Sequence, residues 1–299
     1  MDGTGVPIVT PFTVEESVDH VRLQTFTQAL ESAGIDFFVP CGSTSEAPLL
    51  TEAERAAVIE TVVETTSKPV MAGTGANGYN VTIDRTEAAA EVGADAALVL
   101  TPHYFPLDDA DFIEYYRRVA ENSPIPIYLY SVPPFTNVSL DPGVVVALAS
   151  HENIHGIKDS SGNITRLQRM IKGTNDADFD VLTGSGSGYG IGLAVGASGG
   201  ILALANVVPE LCDQIYQLHR GGEIESALAL NRALVELEIA ITSRYGIAGV
   251  KAAIATNNPS VGPPRTPLQS LTADEQSTVE AIFAEALDAA SVASASTHS

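Results

Sequence analysis

The chain contains few basic residues. Its 299 residues include 15 lysines and arginines against 37 aspartates and glutamates, which gives a formal net charge of −22 at pH 7. Nucleic acids and anionic membrane surfaces are bound through clusters of positive charge, and no basic run occurs in the sequence. The composition therefore excludes nucleic acid and membrane surfaces as partners.

Cysteines, metal-binding patterns and long apolar runs are also scarce. Cys41 and Cys212 belong to no CxxC pattern and the six histidines form no HExxH pattern, so neither a metal site nor a disulfide is predicted. No stretch reaches about 18 uninterrupted apolar residues, and the chain does not open with a cationic segment followed by an apolar run. We therefore expect a soluble, cytoplasmic protein.

Lysine is the rarest of the charged residues, and the four lysines are Lys68, Lys158, Lys172 and Lys251. An acidic, lysine-poor composition resembles that of proteins from halophiles, whose self-repulsion is screened by concentrated salt. We expect a salt-adapted protein, and an ordinary acidic cytoplasmic protein is the alternative.

Short apolar, β-branched runs alternate along the chain with longer segments of helical periodicity. The eight candidate strands are Gly5–Phe12, Gly34–Gly42, Lys68–Gly75, Ala94–Pro102, Ile125–Pro133, His155–Gly162, Phe179–Gly184 and Gly199–Asn206. Their nearly continuous apolar character is typical of parallel strands that are covered on both faces.

The segments between the strands predict helices. Thr51 and Glu54 fit a capping box, Asp108 precedes another helix, and Pro209 suits the first turn of a third. Eight such β/α units in about 210 residues favour an α/β fold of the closed (β/α)₈ (TIM) barrel type over an open sheet. The expected organisation is a barrel over residues 1–221, packed C-terminal helices over 222–291, and a disordered tail over 292–299.

Lys158 is the leading candidate for a catalytic residue. It stands near the end of the sixth candidate strand, and in such barrels the chemistry occurs at the carboxyl ends of the strands. Burial favours the neutral amine, which is the form that attacks a ketone carbonyl. The alternative is a structural lysine that pairs with Asp159. Retention of a lysine here, in a chain with so few, favours the nucleophile.

Two further candidate groups lie at neighbouring strand ends. Tyr130 ends the fifth candidate strand, and by period-two alternation it shares a side with Tyr128. A phenol in the barrel mouth can relay protons, although most single tyrosines are core residues. After the second strand, Ser43 and Thr44 form a turn whose amides and hydroxyls suit a carboxylate.

Several motifs occur in a consistent order from about Gly5 to Leu271. They are Gly42-Ser-Thr-Ser-Glu46, Ala72-Gly-Thr-Gly-Ala-Asn77, Tyr130-Ser-Val-Pro133, Gly156-Ile-Lys-Asp-Ser-Ser-Gly162 and Pro263-Pro-Arg-Thr-Pro-Leu268. Together they resemble the dihydrodipicolinate synthase/N-acetylneuraminate lyase family of class I aldolases, which are (β/α)₈ barrels. The pattern is most similar to that of the 2-keto-3-deoxygluconate aldolases.

The resemblance implies a role for each matching residue. Lys158 would form the Schiff base and Tyr130 would relay protons. Ser43 and Thr44 would bind the substrate carboxylate, and Thr44 would also link Tyr130 into a proton chain. No cofactor and no metal are implied.

The resemblance also implies an assembly and a pyruvate pocket. Ile201 would line that pocket with its backbone, and Gly184 would lie beside it. Tyr104 would complete the proton chain in the site of a neighbouring subunit, within a homotetramer built as a dimer of dimers.

One motif points to a different ligand. Residues Gly73 to Gly78 match the dinucleotide fingerprint GxGxxG, and Asp95 follows at a suitable distance. The motif, however, lies at the third of eight strands, whereas a dinucleotide-binding half begins with that turn. We therefore reject a dinucleotide site.

The substrate hypothesis depends on Phe135. In lysine-pathway synthases of the family, an arginine at the matching position grips a carboxylate of the second substrate, and a phenyl ring cannot replace a guanidinium. We therefore expect cleavage of a 2-keto-3-deoxy sugar acid, 2-keto-3-deoxygluconate or its 6-phosphate, to pyruvate and an aldehyde. The alternatives are a 4-hydroxy-tetrahydrodipicolinate synthase, which condenses pyruvate with aspartate semialdehyde, a sugar-acid dehydratase, and a ligand-binding barrel without catalysis.

Overall fold

The computed structural model describes residues 1–257 and 261–295, and eight parallel strands form its centre. The strands are β1 Gly3–Val6, β2 Phe37–Phe38, β3 Met71–Gly73, β4 Ala96–Leu100, β5 Ile127–Ser131, β6 Ile154–Asp159, β7 Asp180–Thr183 and β8 Gly199–Ile201. They are hydrogen-bonded in the order β2-β1-β8-β7-β6-β5-β4-β3, and a parallel bridge between Phe38 and Val70 joins the two ends. The predicted (β/α)₈ barrel is confirmed.

Helices surround the barrel and continue beyond its last strand. They are α1 His20–Ser32, α2 Glu52–Thr65, α3 Tyr79–Glu91, α4 Asp109–Asn122, α5 Pro133–Thr136, α6 Pro142–Leu148, α7 Ile164–Thr174, α8 Tyr189–Ala194, α9 Pro209–Arg220, α10 Ile224–Ala233, α11 Val235–Glu238, α12 Gly246–Asn257 and α13 Ala273–Ala295. A π-helical segment, Ile239–Arg244, connects α11 to α12. Within the described ranges, no helix is long and apolar enough to cross a bilayer.

The three predicted helix starts are confirmed. The Thr51 amide donates to Glu54 Oε2 (2.9 Å), and Glu54 donates its own amide to Thr51 Oγ1 (3.3 Å), which is a complete capping box. Asp108 caps α4 in the same way, and α9 begins at Pro209. Local signals therefore define these ends.

The first strand lies earlier than predicted. We expected Gly5–Phe12, whereas β1 ends at Val6 because Pro7 and Pro11 have no amide hydrogen to donate to a ladder. The intervening Val9 amide donates instead to the side chain of Asn206 (3.1 Å).

The C-terminal end of the chain is helical further than expected. Helix α13 continues through residues 292–295, which the sequence analysis assigned to a disordered tail. The remaining residues of that predicted tail, 296–299, lie outside the described residues.

Alternation along the strands divides the core into an interior and an outer layer. Tyr128 and Tyr130 belong to the cluster inside the barrel, as predicted from their spacing, whereas Ile127 and Leu129 pack outward against the helices. Lys158 pairs in register with Tyr130 on the adjacent strand. The fold therefore brings the ends of β5 and β6 together at the barrel mouth.

Candidate active site

A cavity of about 530 Å³ opens at the carboxyl ends of the strands. Seven of the eight predicted site residues line it, and they are Ser43, Thr44, Tyr130, Phe135, Lys158, Gly184 and Ile201. Because neighbouring parallel strands end at the same rim, short segments that are distant in sequence meet here.

Lys158 lies at the centre of this set and is only 5% exposed. Its Nζ is 4.5 Å from the centre of the Tyr130 ring, a contact that follows from the β5–β6 register. The carboxylate of Asp159 accepts a hydrogen bond from Ser161 Oγ (2.6 Å), and among the described residues no ion pair involves Lys158. The alternative of a structural lysine paired with Asp159 is therefore not observed in the described part of the chain.

The hydroxyl of Tyr130 has a partner in the loop that follows β2. Its oxygen is 3.4 Å from Ser43 Oγ, and either group can donate. Thr44 lines the cavity beside it and is 9% exposed. The resemblance implied a link through Thr44, whereas Ser43 is the hydroxyl that the structure brings within reach of Tyr130.

A buried ion pair anchors the loop that follows β2, and no sequence pattern predicted it. Glu46 Oε1 lies 2.6 Å from Lys251 Nζ, and both side chains are almost fully buried. Lys251 also donates to the carbonyl oxygens of Thr10 (2.9 Å) and Pro263 (3.0 Å). The scarcity of lysine is the signal that could have identified Lys251, since a buried charge is retained only when paired.

Gly184 keeps space open for the lysine. A Cβ atom on this residue would lie 1.9 Å from Ser160 Oγ and 3.0 Å from Lys158 Cε. Its amide donates to the carbonyl oxygen of Asp159 (2.8 Å), which fixes the start of the loop after β7. No larger residue fits here without displacing Ser160 or the catalytic candidate.

Glu238 is a further residue of the site that no sequence pattern predicted. It ends α11, lines the cavity and is 6% exposed. Its Oε1 accepts a hydrogen bond from the Gly186 amide (3.2 Å), while Oε2 has no hydrogen-bond partner among the described residues. Burial raises the pKa of this carboxyl to about 7, against the opposing effects of the Gly186 amide and the charge of Lys158.

The raised pKa predicts how Glu238 affects stability with pH. Below about pH 4.5 the carboxyl is protonated in both the folded and the unfolded chain, so it contributes nothing. Above that pH the unfolded chain ionises first, and the free energy of unfolding falls until about pH 7 is passed. Moving the pKa from 4.5 to about 7 is equivalent to about 3 kcal/mol.

We therefore expect Glu238→Gln to stabilise the protein by about 2–3 kcal/mol at pH 8 and by much less at pH 5. Guanidinium unfolding at both pH values measures this difference. Glu236→Gln, an exposed change in the same helix, is the matched control and should give no pH-dependent difference. An equal effect of Glu238→Gln at both pH values would contradict the raised pKa.

Two predicted site residues are exposed. Phe135 on α5 is 67% exposed and covers one side of the cavity mouth. Tyr104 is 76% exposed and packs edge-on against Phe105, with 5.1 Å between ring centres. The amides of His103 and Tyr104 both donate to Asn77 Oδ1, at 2.8 and 3.0 Å. Within one chain Tyr104 does not line the cavity, and its role in a neighbouring subunit stays a prediction.

Two of the three glycines of the dinucleotide-like motif, Gly73 and Gly75, lie in close backbone contacts. A Cβ atom on Gly73 would lie 2.1 Å from the Cys41 carbonyl oxygen, and one on Gly75 would lie 2.1 Å from the Leu100 amide. These close backbone contacts alone require glycine at both positions, so no bound nucleotide is needed to explain the motif. In the part of the chain that the structure describes, no group of three or more His, Cys, Asp or Glu side chains is placed to hold a metal ion.

Known proteins match this chain along nearly its whole length. The model of the Dihydrodipicolinate synthetase family matches residues 1–286. A 4-hydroxy-tetrahydrodipicolinate synthase from Methanothrix thermoacetophila is 36% identical over 281 residues, which are 94% of this chain and 95% of the relative. A DapA-like lyase of Halobacterium salinarum, described as uncharacterized, is 36% identical over 287 residues, 95% of this chain and 94% of the relative.

Solved structures match the fold equally well. Dihydrodipicolinate synthase DapA-2 from Bacillus anthracis superposes with a TM-score of 0.91 at 30% identity and covers 95% of this chain and 97% of its own. YagE from E. coli, a prophage protein solved in complex with pyruvate, superposes with a TM-score of 0.91 at 27% identity and covers 96% of this chain and 99% of its own.

Proposed function

Because the chain belongs to the dihydrodipicolinate synthetase family and is a lyase of the class I, pyruvate-dependent aldolase type, we propose that Lys158 binds its 2-oxo acid substrate as a Schiff base. We further propose that the substrate is 2-keto-3-deoxygluconate, or its 6-phosphate, and that the products are pyruvate and an aldehyde.

The proposed reaction is a retro-aldol cleavage. The amine of Lys158 attacks the C2 ketone, and loss of water gives a protonated imine that withdraws electrons. Tyr130 accepts the proton of the C4 hydroxyl as the C3–C4 bond breaks and the aldehyde leaves. The remaining enamine is protonated at C3, and hydrolysis of the imine releases pyruvate and the free lysine. Ser43 and Thr44 hold the carboxylate, which keeps the reacting carbons aligned.

The composition of the cavity wall is the observation that carries the substrate proposal. Among the described residues that line the cavity, Lys158 is the one cation, and the position expected for a second, carboxylate-binding cation is occupied by Phe135. The wall beyond Lys158 is rich in hydroxyl groups instead, from Ser160, Ser161, Ser185, Ser187, Thr242 and Ser243. Such a wall suits the hydroxyl groups of a sugar acid better than a second carboxylate.

A second candidate function has support from the comparisons. Several similar relatives are named 4-hydroxy-tetrahydrodipicolinate synthase, and this name favours condensation of pyruvate with aspartate semialdehyde over cleavage of a sugar acid. This reaction would use the same Schiff base at Lys158. The two candidates differ in the aldehyde, which carries an amino group and a carboxylate in the synthase reaction and hydroxyl groups in the cleavage.

We expect the wild-type protein to release pyruvate from 2-keto-3-deoxygluconate in molar potassium chloride, with an aldehyde in equal amount. The Lys158→Ala protein is the negative control. A parallel assay supplies pyruvate and aspartate semialdehyde and follows their consumption. Consumption of both in that assay, with no cleavage of the sugar acid, would overturn the main proposal and establish the synthase. Loss of water from the sugar acid without aldehyde would instead identify a dehydratase.

We also propose that the protein works in concentrated salt, as a homotetramer. The net charge of −22 supports the first point, and so does the relative from Halobacterium salinarum. The exposed ring of Tyr104 supports the second, because a large aromatic group is commonly covered at an interface.

A further inference from the structure

The carboxyl group of Glu238 takes no part in the mechanism proposed above. It reaches the cavity from the helical layer outside the barrel, at the point where α11 passes into the π-helical segment. Short π-helical insertions are frequent at functional sites. This one brings Thr242 and Ser243 to the same wall of the cavity.

One oxygen of this carboxyl group, Oε1, has a hydrogen-bond partner within the protein. Gly186 donates its amide to Oε1 (3.2 Å), and a Cβ atom on Gly186 would lie 2.8 Å from Glu238 Cδ. Asn231, seven residues earlier, already holds the same loop, since it donates to the Gly186 carbonyl oxygen (2.8 Å) and accepts from the Gly190 amide (3.0 Å). The loop therefore has an anchor that is independent of the charge on Glu238.

The other oxygen, Oε2, receives no hydrogen bond from the described residues. Oε2 is buried, has no hydrogen-bond partner and belongs to a side chain that lines the cavity. A buried carboxylate oxygen without a donor costs free energy unless another molecule supplies one. The donors that a sugar acid can supply are its hydroxyl groups.

We propose that Glu238 is a specificity-determining residue, which accepts hydrogen bonds from the hydroxyl groups of the aldehyde portion of the substrate and rejects a second anionic group there. The inference rests on the proposed function, in which Lys158 holds a 2-oxo acid. A distal carboxylate or phosphate would meet a carboxylate in a buried wall, and among the described lining residues the single cation is Lys158. In the protonated imine its nitrogen is bonded to C2 of the substrate, so it cannot also pair with an anionic group at the distal end. The preferred substrate is therefore a polyhydroxylated 2-oxo acid without a terminal phosphate.

Competition with pyruvate tests this preference without requiring cleavage. Borohydride reduction traps pyruvate on Lys158, and the trapped fraction is read from the mass of the intact chain. Gluconate and 6-phosphogluconate lack the C2 ketone, so they occupy the cavity without forming an imine. At pH 8 we expect gluconate to protect the wild-type protein at a concentration at least ten times lower than 6-phosphogluconate does.

The variants separate charge from structure. Glu238→Gln can keep the hydrogen bond from the Gly186 amide but loses the charge. The preference for gluconate over 6-phosphogluconate should therefore fall at least fivefold. Glu238→Asp keeps the charge and should keep a preference for gluconate. Glu236→Gln, exposed on the same helix, should match the wild type. Each preference is a ratio within one protein, so differences in trapping efficiency cancel.

Two failures are distinguishable. If wild-type protein traps no pyruvate, the Schiff-base function fails, and the inference that rests on it fails with it. If pyruvate is trapped but the two competitors protect equally, or if Glu238→Gln retains the wild-type ratio, the role of Glu238 alone is overturned. The corresponding kcat/KM values for 2-keto-3-deoxygluconate and its 6-phosphate should follow the same order.

Discussion

The Lys158→Ala protein should gain no mass when it is incubated with pyruvate and borohydride, whereas each wild-type chain should gain one pyruvate adduct. Turnover should fall by about 10⁴-fold or more, because the covalent route is lost completely. Lys158 is buried at the end of β6, pairs with no carboxylate among the described residues and lies against the Tyr130 ring. Its removal takes away the amine without breaking an observed ion pair, so the variant should fold.

Lys172→Ala is the matched control for this experiment. Lys172 is exposed on α7, so its replacement removes one amine from the surface and leaves the cavity unchanged. The Lys172→Ala protein should gain the same pyruvate adduct as the wild type. An adduct on the Lys158→Ala protein would show that another amine forms the imine. A wild-type protein that gains no adduct would favour the ligand-binding barrel without catalysis.

Sequence patterns predict the centre of this site well because the barrel geometry does most of the placing. Parallel strands end at one rim, so two residues at the ends of consecutive strands must approach each other. Tyr130 and Lys158 meet in register for this reason. The period of two along β5 likewise determines that Tyr128 and Tyr130 face the barrel interior.

Residues whose position depends on loops or on distant contacts are not predictable in this way. The choice between Ser43 and Thr44 as partner of Tyr130 depends on a loop with left-handed residues at Cys41 and Glu46, both with φ of 58°. Non-glycine residues adopt this region rarely, and nothing in the local sequence indicates it.

Glu238 illustrates the same limit for the helical layer. Its local sequence is that of an ordinary helix, in which Glu236 is exposed and Glu238 is buried. The difference arises from contact with Gly186 in the loop after β7, which no short-range pattern contains. A glutamate at the end of an amphipathic helix is normally a solvated residue, so the sequence alone favours the wrong environment.

The Tyr130→Phe protein should lose about 10²–10⁴-fold in kcat, the range expected when a positioned acid–base group is removed. The ring contact with Lys158 survives in phenylalanine, and the change deletes only the hydroxyl that lies 3.4 Å from Ser43 Oγ. Trapping of pyruvate should therefore remain possible. The loss should appear in kcat and in kcat/KM together, because the hydroxyl acts on the C4 proton in the transition state.

Tyr128→Phe is the control that separates proton relay from packing. Tyr128 lies on the same strand and the same interior face, but its hydroxyl donates to Asp180 Oδ2 (2.7 Å) and does not line the cavity. The Tyr128→Phe protein loses the same atom from the same kind of environment. We therefore expect a lower free energy of unfolding and a nearly unchanged kcat. If Tyr130→Phe retained full activity, or if the two variants lost activity equally, the relay role would be lost. Ser43 or a water would then have to accept the C4 proton.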